Sequence, residues 1–446
     1  MVSTATRHAA LTTEERQAAL FADAGLSRRG ATLLLGGVPL SVIAEAVGTP
    51  AYIYNAEVIR RQYGVLDQAL AGVPHRICFA VKANSNLAVL RVFRDLGAGA
   101  DIVSGGELER AIAAGFPPQR IVFSGVGKSP AELEQALLVG VGHIHLESSD
   151  ELDKLSAIAE RLGKGAAVGI RVNPDVTAET HPYIATGQGG IKFGVPFDQV
   201  KALALRVHAH PLLTLDSIAM HIGSQILDPA PYREGLGKLA GLVAELRKAG
   251  IDTIRNLDIG GGLGIRYKDE IPLDPVRFLA AVRPLAEETG LTLVMEPGRF
   301  LVGSAGLLLT TVLSRKHSGG KELVLVDAGM NDLVRPSHYM AWHEMVELEA
   351  AGRPEVPVDV VGPVCETGDF LARDRTLPGV VAGERLAVLG AGAYGFVMAS
   401  SYNSRTRPAE VLVDGGRWAV VRPRERVADL YAGETPEPRW ETNGEG

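Results

Sequence analysis

The sequence has few of the features that mark secreted, membrane or nucleic-acid-binding chains. It holds only 2 cysteines in 446 residues, Cys78 within an apolar run and Cys365 within a polar motif. Neither suggests a disulfide framework, so a reducing, cytoplasmic setting is expected. Basic excess is also missing: 45 Lys and Arg against 52 Asp and Glu leave a net charge of -7. Without a basic footprint, nucleic acid is not an expected partner. The longest uncharged stretch, 386–404, is rich in Gly and Ser and holds Asn403, a poor membrane span. The N-terminus lacks an apolar core, and Glu14, Glu15 and Asp23 disfavour a transit peptide. There is no fixed-period repeat and no low-complexity segment. At 46% hydrophobic and 22% charged, the composition is that of an ordinary globular protein.

Eight short apolar runs recur between residues 77 and 299. They are CFAVKAN (78–84), ADIVSGG (100–106), RIVFSG (120–125), HIHLES (143–148), AVGIRVN (167–173), SIAMHIG (217–223), NLDIGGG (256–262) and TLVMEPGR (292–299). Most are separated by stretches with apolar residues at three- and four-residue spacing, such as 87–97, 106–115 and 130–140, which predict amphipathic helices. Strands alternating with helices predict a parallel sheet, and eight such units in this length predict an α/β fold of the (β/α)8 TIM-like barrel type. Each run turns polar or Gly-rich at its C-terminal end, the face where such barrels place their active sites. After about residue 310 the pattern is strand-like with few helical periods, which predicts a second, mostly β domain. Asp414-Gly415-Gly416 predicts a tight hairpin within it.

Lys82 ends the first apolar run, where burial is expected to lower its pKa and make the amine nucleophilic. A lone lysine there more often reaches out to solvent, but this one has company. Gly260-Gly261-Gly262 follows the seventh run and Pro297-Gly298-Arg299 the eighth, the usual place of a barrel phosphate site. Glu296 at the eighth tip could hold a ring nitrogen protonated, and His221 could stack on a flat ring. GAGAYG (390–395) satisfies a dinucleotide pattern, but no amphipathic helix follows it. GVGKS (125–129) lacks the first glycine of a phosphate loop, since position 122 is Val. His143 and His145 share a strand face, yet no third metal ligand stands at useful spacing, so no metal is expected.

These residues lie in motifs that resemble the fold-type III pyridoxal-phosphate-dependent decarboxylases, most closely those acting on meso-diaminopimelate. The motifs are FAVKAN (79–84), SGGEL (104–108), NPDVTAETHPYIATG (173–187), KFG (192–194), HIGSQ (221–225) and LDIGGGLGI (257–265). They continue with EPGRFLVG (296–303), VDAGMNDLVRP (326–336), GPVCETGDFLA (362–372) and AYGFVMASSYNSR (393–405). The likeness covers roughly residues 35–430. SGVGKS (124–129) and Met340-Ala341-Trp342 depart from the commoner family wording.

The resemblance implies pyridoxal 5'-phosphate as cofactor, held as a Schiff base by Lys82. It implies His221 stacked on the cofactor ring and Glu296 at its nitrogen. Ser224, Gly261, Gly262, Gly298, Arg299 and Tyr394 are implied around the cofactor, chiefly its phosphate. Cys365 is similar to the acid that protonates Cα, and with Glu366 it is implied to reach the other subunit of a homodimer with shared sites. Arg299, Arg335, Tyr339 and Tyr394 are implied at the substrate, with Glu366 taking its distal ammonium. Planar Arg forks suit a distal carboxylate, which diaminopimelate has and ornithine lacks. The implied reaction is decarboxylation of an amino acid, meso-diaminopimelate, to L-lysine; the alternatives are ornithine, arginine or a carrier-bound amino acid, or a non-catalytic relative. The implied domain division is a barrel at 48–309 and a β domain made of 1–47 and 310–446.

Overall fold

A computed structural model describes residues 11–176 and 192–440. The eight apolar runs are eight parallel strands: His75–Ala80, Gly99–Ile102, Ile121–Phe123, His143–Leu146, Ala166–Asn173, Leu213–Ala219, Asn256–Asp258 and Thr292–Met295. Each pairs with the next in chain order, and the eighth returns to the first, closing the barrel. Parallel strands flanked by helices are covered on both faces, which is why they read as continuous apolar runs. Phe79, Ile102, Phe123, Ile170 and Leu293 are fully buried in them. Burial of each such side chain stabilises the fold by about 1.5–3 kcal/mol.

The intervening helices begin and end where the local chemistry dictates. Ser104 caps Gly105–Ala114 by accepting from the Glu107 amide, and Gly115 at φ 90 ends that helix. Ser129 and Glu132 form a reciprocal capping box on Pro130–Val139, which ends at Gly140. With strand, turn and helix repeated this way, the polar strand tips gather at one end of the barrel.

A second sheet runs in the order Phe370–Pro378, Glu355–Val361, Lys321–Val326, Gly306–Ser318, Ala51–Asn55, Ala409–Asp414, Arg417–Arg422. The expected hairpin joins the last two, with Gly415 and Gly416 both at positive φ as a two-residue turn demands. A core of Leu33, Leu35, Ile43, Ile53, Leu307 and Val411 binds the N-terminal residues to this sheet. Ala51–Asn55 is a strand of the second sheet, antiparallel to Gly306–Ser318 and parallel to Ala409–Asp414. All five of its residues are buried there, so Ala51–Asn55 and residues 306–309, which fall within the expected 48–309, pair in the second sheet.

Candidate active site

Lys82 lies in a single helical turn, Val81–Ala83, that ends the first barrel strand. Its Nζ donates to Oδ2 of Asp101 at 2.6 Å; Asp101 is fully buried in the second strand. This corrects the expected direction of the lysine's acidity. Burial does lower the amine, but the charges of Asp101, Tyr394 and Glu296 outweigh it, and the ammonium is held above its ordinary pKa. The other Asp101 oxygen, Oδ1, has no hydrogen-bond partner among the described residues.

Two cavities meet at His221 and Phe193. The inner one, about 350 Å³, is lined by Lys82, Ser124, His145, Arg171 and Glu296. The outer one, about 480 Å³, is lined by Ser224, Tyr267, Arg299, Arg335, Tyr339 and Tyr394. A third, about 490 Å³, flanks Lys82 on the side of Glu107 and Arg110, with Tyr394 on its wall.

Buried acids stand at and behind the wall of the inner cavity. Burial, reinforced by Asp101 and Asp258, raises the Glu296 carboxyl well above the usual range. Asp258 is raised to about 7, again mainly by burial. Ser124 Oγ donates to Glu296 at 3.3 Å and lies 3.4 Å from Nδ1 of His145. Gly169 leaves room for that imidazole, since a Cβ there would lie 2.3 Å from His145 Cδ2. His143 does not join this group, being paired with Asp216 at 2.6 Å. His145, Asp258 and Glu296 instead bring ligand atoms within 4.8 Å of one another, a grouping that sequence spacing did not reveal. Burial, with Arg171 and Lys82 nearby, keeps His221 neutral, and its Nδ1 accepts the Gly261 amide at 3.2 Å.

The glycines are required by close backbone approach. Gly262 has φ 110, and a Cβ there would lie 2.6 Å from the Tyr232 hydroxyl; at Gly261 it would lie 2.3 Å from the Glu296 carbonyl oxygen. At Gly298 it would meet the Ala83 Cβ at 2.8 Å and reach within 3.5 Å of the Tyr394 hydroxyl. These bare backbones stand beside Ser224, whose Oγ accepts from Arg299 Nη2 at 3.1 Å. An amine, a buried acid, a neutral imidazole and a glycine-rich cradle gathered at the strand tips fit pyridoxal 5'-phosphate.

Arg299 and Arg335 face the outer cavity. Arg299 donates to the Tyr267 hydroxyl at 2.7 Å, and the Arg335 guanidinium lies 4.6 Å above the Tyr267 ring. Arg335 also donates to His343 Nε2 at 3.1 Å. Among the described residues neither Arg has a carboxylate ion pair, although both are buried. Burial would raise the Tyr267 phenol, but the two guanidiniums outweigh it and lower the phenol's pKa.

Cys365 and Glu366 are not brought to these cavities. Both are exposed in the β domain, the Cys365 amide donating to Asn403 Oδ1 at 2.7 Å. The stretch 177–187 of the NPDVTAETHPYIATG motif lies outside the described residues. GAGAYG is no dinucleotide site: only a three-residue 3-10 turn, Phe396–Met398, follows it. Asp101, Asp258, Tyr267 and His343 were not singled out from the sequence. The two acids carried a readable signal, because an acid inside an apolar parallel strand must find a partner.

Fold and site together define the class: the chain belongs to the pyridoxal-dependent decarboxylases, whose pyridoxal binding domain matches residues 56–303. Within that class its relatives include diaminopimelate decarboxylases. The one from Pseudomonas aeruginosa is 50% identical over 413 residues, covering 93% of this chain and 99% of that protein. The one from Aquifex aeolicus is 47% identical over 90% of this chain and 95% of its own length. The crystal structure of diaminopimelate decarboxylase from Helicobacter pylori complexed with L-lysine superposes with a TM-score of 0.86 at 40% identity, covering 89% of this chain and 99% of that one.

Proposed function

We infer that the protein decarboxylates meso-2,6-diaminopimelate at its D-configured end, yielding L-lysine and carbon dioxide with pyridoxal 5'-phosphate as cofactor. The observation that carries the choice of substrate is the pair Arg299 and Arg335, two buried guanidiniums that have no carboxylate partner among the described residues, beside the lysine cavity. A second amino-acid head supplies that carboxylate, and a diamine-forming substrate does not.

Bound pyridoxal phosphate supplies an electron sink for the pair of electrons left when the bond from Cα to the carboxylate breaks. The chain's own groups set that up. Lys82 would hold the cofactor covalently through its Nζ, and the same amine would move protons. Glu296 would keep the ring nitrogen charged, His221 would stack on the ring, and Ser224 with the Gly261, Gly262 and Gly298 backbones would receive the phosphate. Arg299, Arg335, Tyr339 and Tyr394 orient the substrate, whose distal carboxylate takes the two guanidiniums. Carbon dioxide leaves, and Cα takes a proton from Cys365 of the partner subunit, whose Glu366 receives the distal ammonium. The exposure of both residues on their own chain, away from the cavities, supports a homodimer with shared sites. Among the described residues no helix is long and apolar enough to cross a membrane.

The test is product analysis of the purified protein with pyridoxal phosphate and, separately, meso-diaminopimelate, ornithine, arginine and lysine. Lysine formed from diaminopimelate alone is the expected result. Carbon dioxide from another of these amino acids instead would overturn the assignment of Arg299 and Arg335.

A further inference from the structure

Three consecutive residues, Trp342, His343 and Glu344, connect the outer cavity to the N-terminal helix. Trp342 lines the cavity, and His343 is fully buried against Arg335. Glu344 Oε2 accepts from Trp342 Nε1 at 3.4 Å and lies 3.3 Å from Arg16 Nε, an ion-pair contact without a hydrogen bond. Arg16 lies on helix Thr13–Ala24, which a Thr12–Glu15 capping box starts and Gly25 ends. The same guanidinium reaches Asp269 with Nη1 at 3.2 Å. Asp269 lies between Lys268 and Glu270, which line the cavity from the barrel side. Glu270 ties that loop to itself by accepting the amides of Tyr267 and Lys268. Trp342 is packed among cations, with Lys268 Nζ 4.3 Å and Arg16 Cζ 5.8 Å from its ring centre and Arg375 stacked on it.

One arginine therefore joins a barrel loop to a β-domain segment across the rim of the outer cavity. Surface ion pairs contribute little, but Arg16 and Glu344 side chains are only 14% and 15% exposed, so this pair is substantially desolvated. Two buried guanidiniums share the Tyr267 ring, Arg299 at 5.7 Å and Arg335 at 4.6 Å from its centre, and the Trp342–His343 wall lies behind Arg335. His343, kept neutral by its burial, receives Arg335 on one nitrogen while the other contacts the Leu389 carbonyl at 2.8 Å.

We propose that Arg16 is a positioning residue for the distal end of the substrate, latching Asp269 to Glu344 so that the Trp342–His343 wall holds Arg335 in place. The proposal rests on the diaminopimelate reading above. It concerns binding rather than chemistry, since Arg16 touches neither Lys82 nor the inner cavity.

The test is steady-state kinetics of the full-length holoenzyme with meso-diaminopimelate, together with inhibition by L-lysine, which retains the distal head. R16A is expected to raise both KM and the lysine inhibition constant about tenfold and to leave kcat within about twofold, the scale of one charge-assisted hydrogen-bonding group lost. R16K, which keeps the charge without the fork, is expected to recover part of the loss. R61A is the control, because Arg61 holds the other end of the same helix through the Ala22 and Asp23 carbonyls. Unchanged KM in R16A, or equal rises in R16A and R61A, would overturn the latch. If R16A does not fold, E344Q takes its place, and an unchanged KM there overturns it equally. Absence of wild-type turnover would instead sink the functional reading and this proposal with it.

Discussion

Lys82 and Asp101 pair at 2.6 Å across the first and second barrel strands, and the acid has no exposure to solvent at all. The lysine is thus both the expected attachment point of the cofactor and the counter-charge of a buried carboxylate. Replacing it with alanine removes both roles. K82A is expected to abolish turnover and to destabilise the cofactor-free protein by about 1–3 kcal/mol, the cost of an unsatisfied buried acceptor. Turnover assays and urea unfolding measure the two effects separately; wild-type turnover in K82A would remove Lys82 from the mechanism.

Arg335 is buried, with His343 as its hydrogen-bond partner and the Tyr267 ring beneath it. Truncation leaves the substrate's distal carboxylate facing a desolvated cavity. R335A is expected to lower kcat/KM for diaminopimelate by about 2–4 kcal/mol, roughly 30- to 1000-fold, mainly through KM. R335K is expected to rescue little, because an ammonium cannot reproduce the bidentate fork. Unchanged kcat/KM in R335A would remove this residue from the substrate clamp.

The barrel was legible because its strands are covered on both faces, so each reads as an apolar run ending in polar residues. Strand Ala51–Asn55 was not, although it is equally apolar, because its partners at 306–309 and 409–413 lie far along the chain. Periodicity reports a strand and says nothing of which sheet takes it. The same limit applied at the site. Lys82 was visible from its place at a strand tip, but the direction of its acidity depended on Asp101, which the fold supplies from the neighbouring strand. The Arg16 latch has no sequence signature, since its two carboxylates stand at 269 and 344.

The buried acids give a pH dependence whose sign can be worked out. Glu296 is raised well above the usual carboxyl range and Asp258 to about 7, both mainly by burial. Glu107 and Asp332 are likewise raised to about 7 by burial. An acid with a raised folded-state pKa binds more protons folded than unfolded, so its contribution is lost as pH rises through the folded value. Buried His145, His221 and His343 are shifted the other way and cost stability only below about pH 6.5, the ordinary histidine value. Above that pH the carboxyls dominate. The cofactor-free protein is expected to lose thermal stability between about pH 6.5 and 8, and E296Q is expected to flatten the slope. Calorimetry of both proteins across that range checks it; a rising wild-type midpoint would contradict the raised acids.

Cys365 and Glu366 are exposed on the β domain, while Lys82 faces the barrel cavity. If a working site needs Lys82 from one subunit and Cys365 from the other, two inactive variants can repair each other. In a mixed dimer of K82A and C365A chains, one site carries both substitutions. The other combines Lys82 of the C365A chain with Cys365 of the K82A chain and is intact. Random reassortment of equal amounts makes half of the dimers mixed, each with one of two sites working, so about a quarter of wild-type activity is expected to return. Mixing after reversible dissociation, followed by lysine assay, measures this. No recovery from a mixture shown to contain heterodimers would mean that each site draws Lys82 and Cys365 from one chain, which the exposed position of Cys365 would then have to accommodate by a large movement of the β domain.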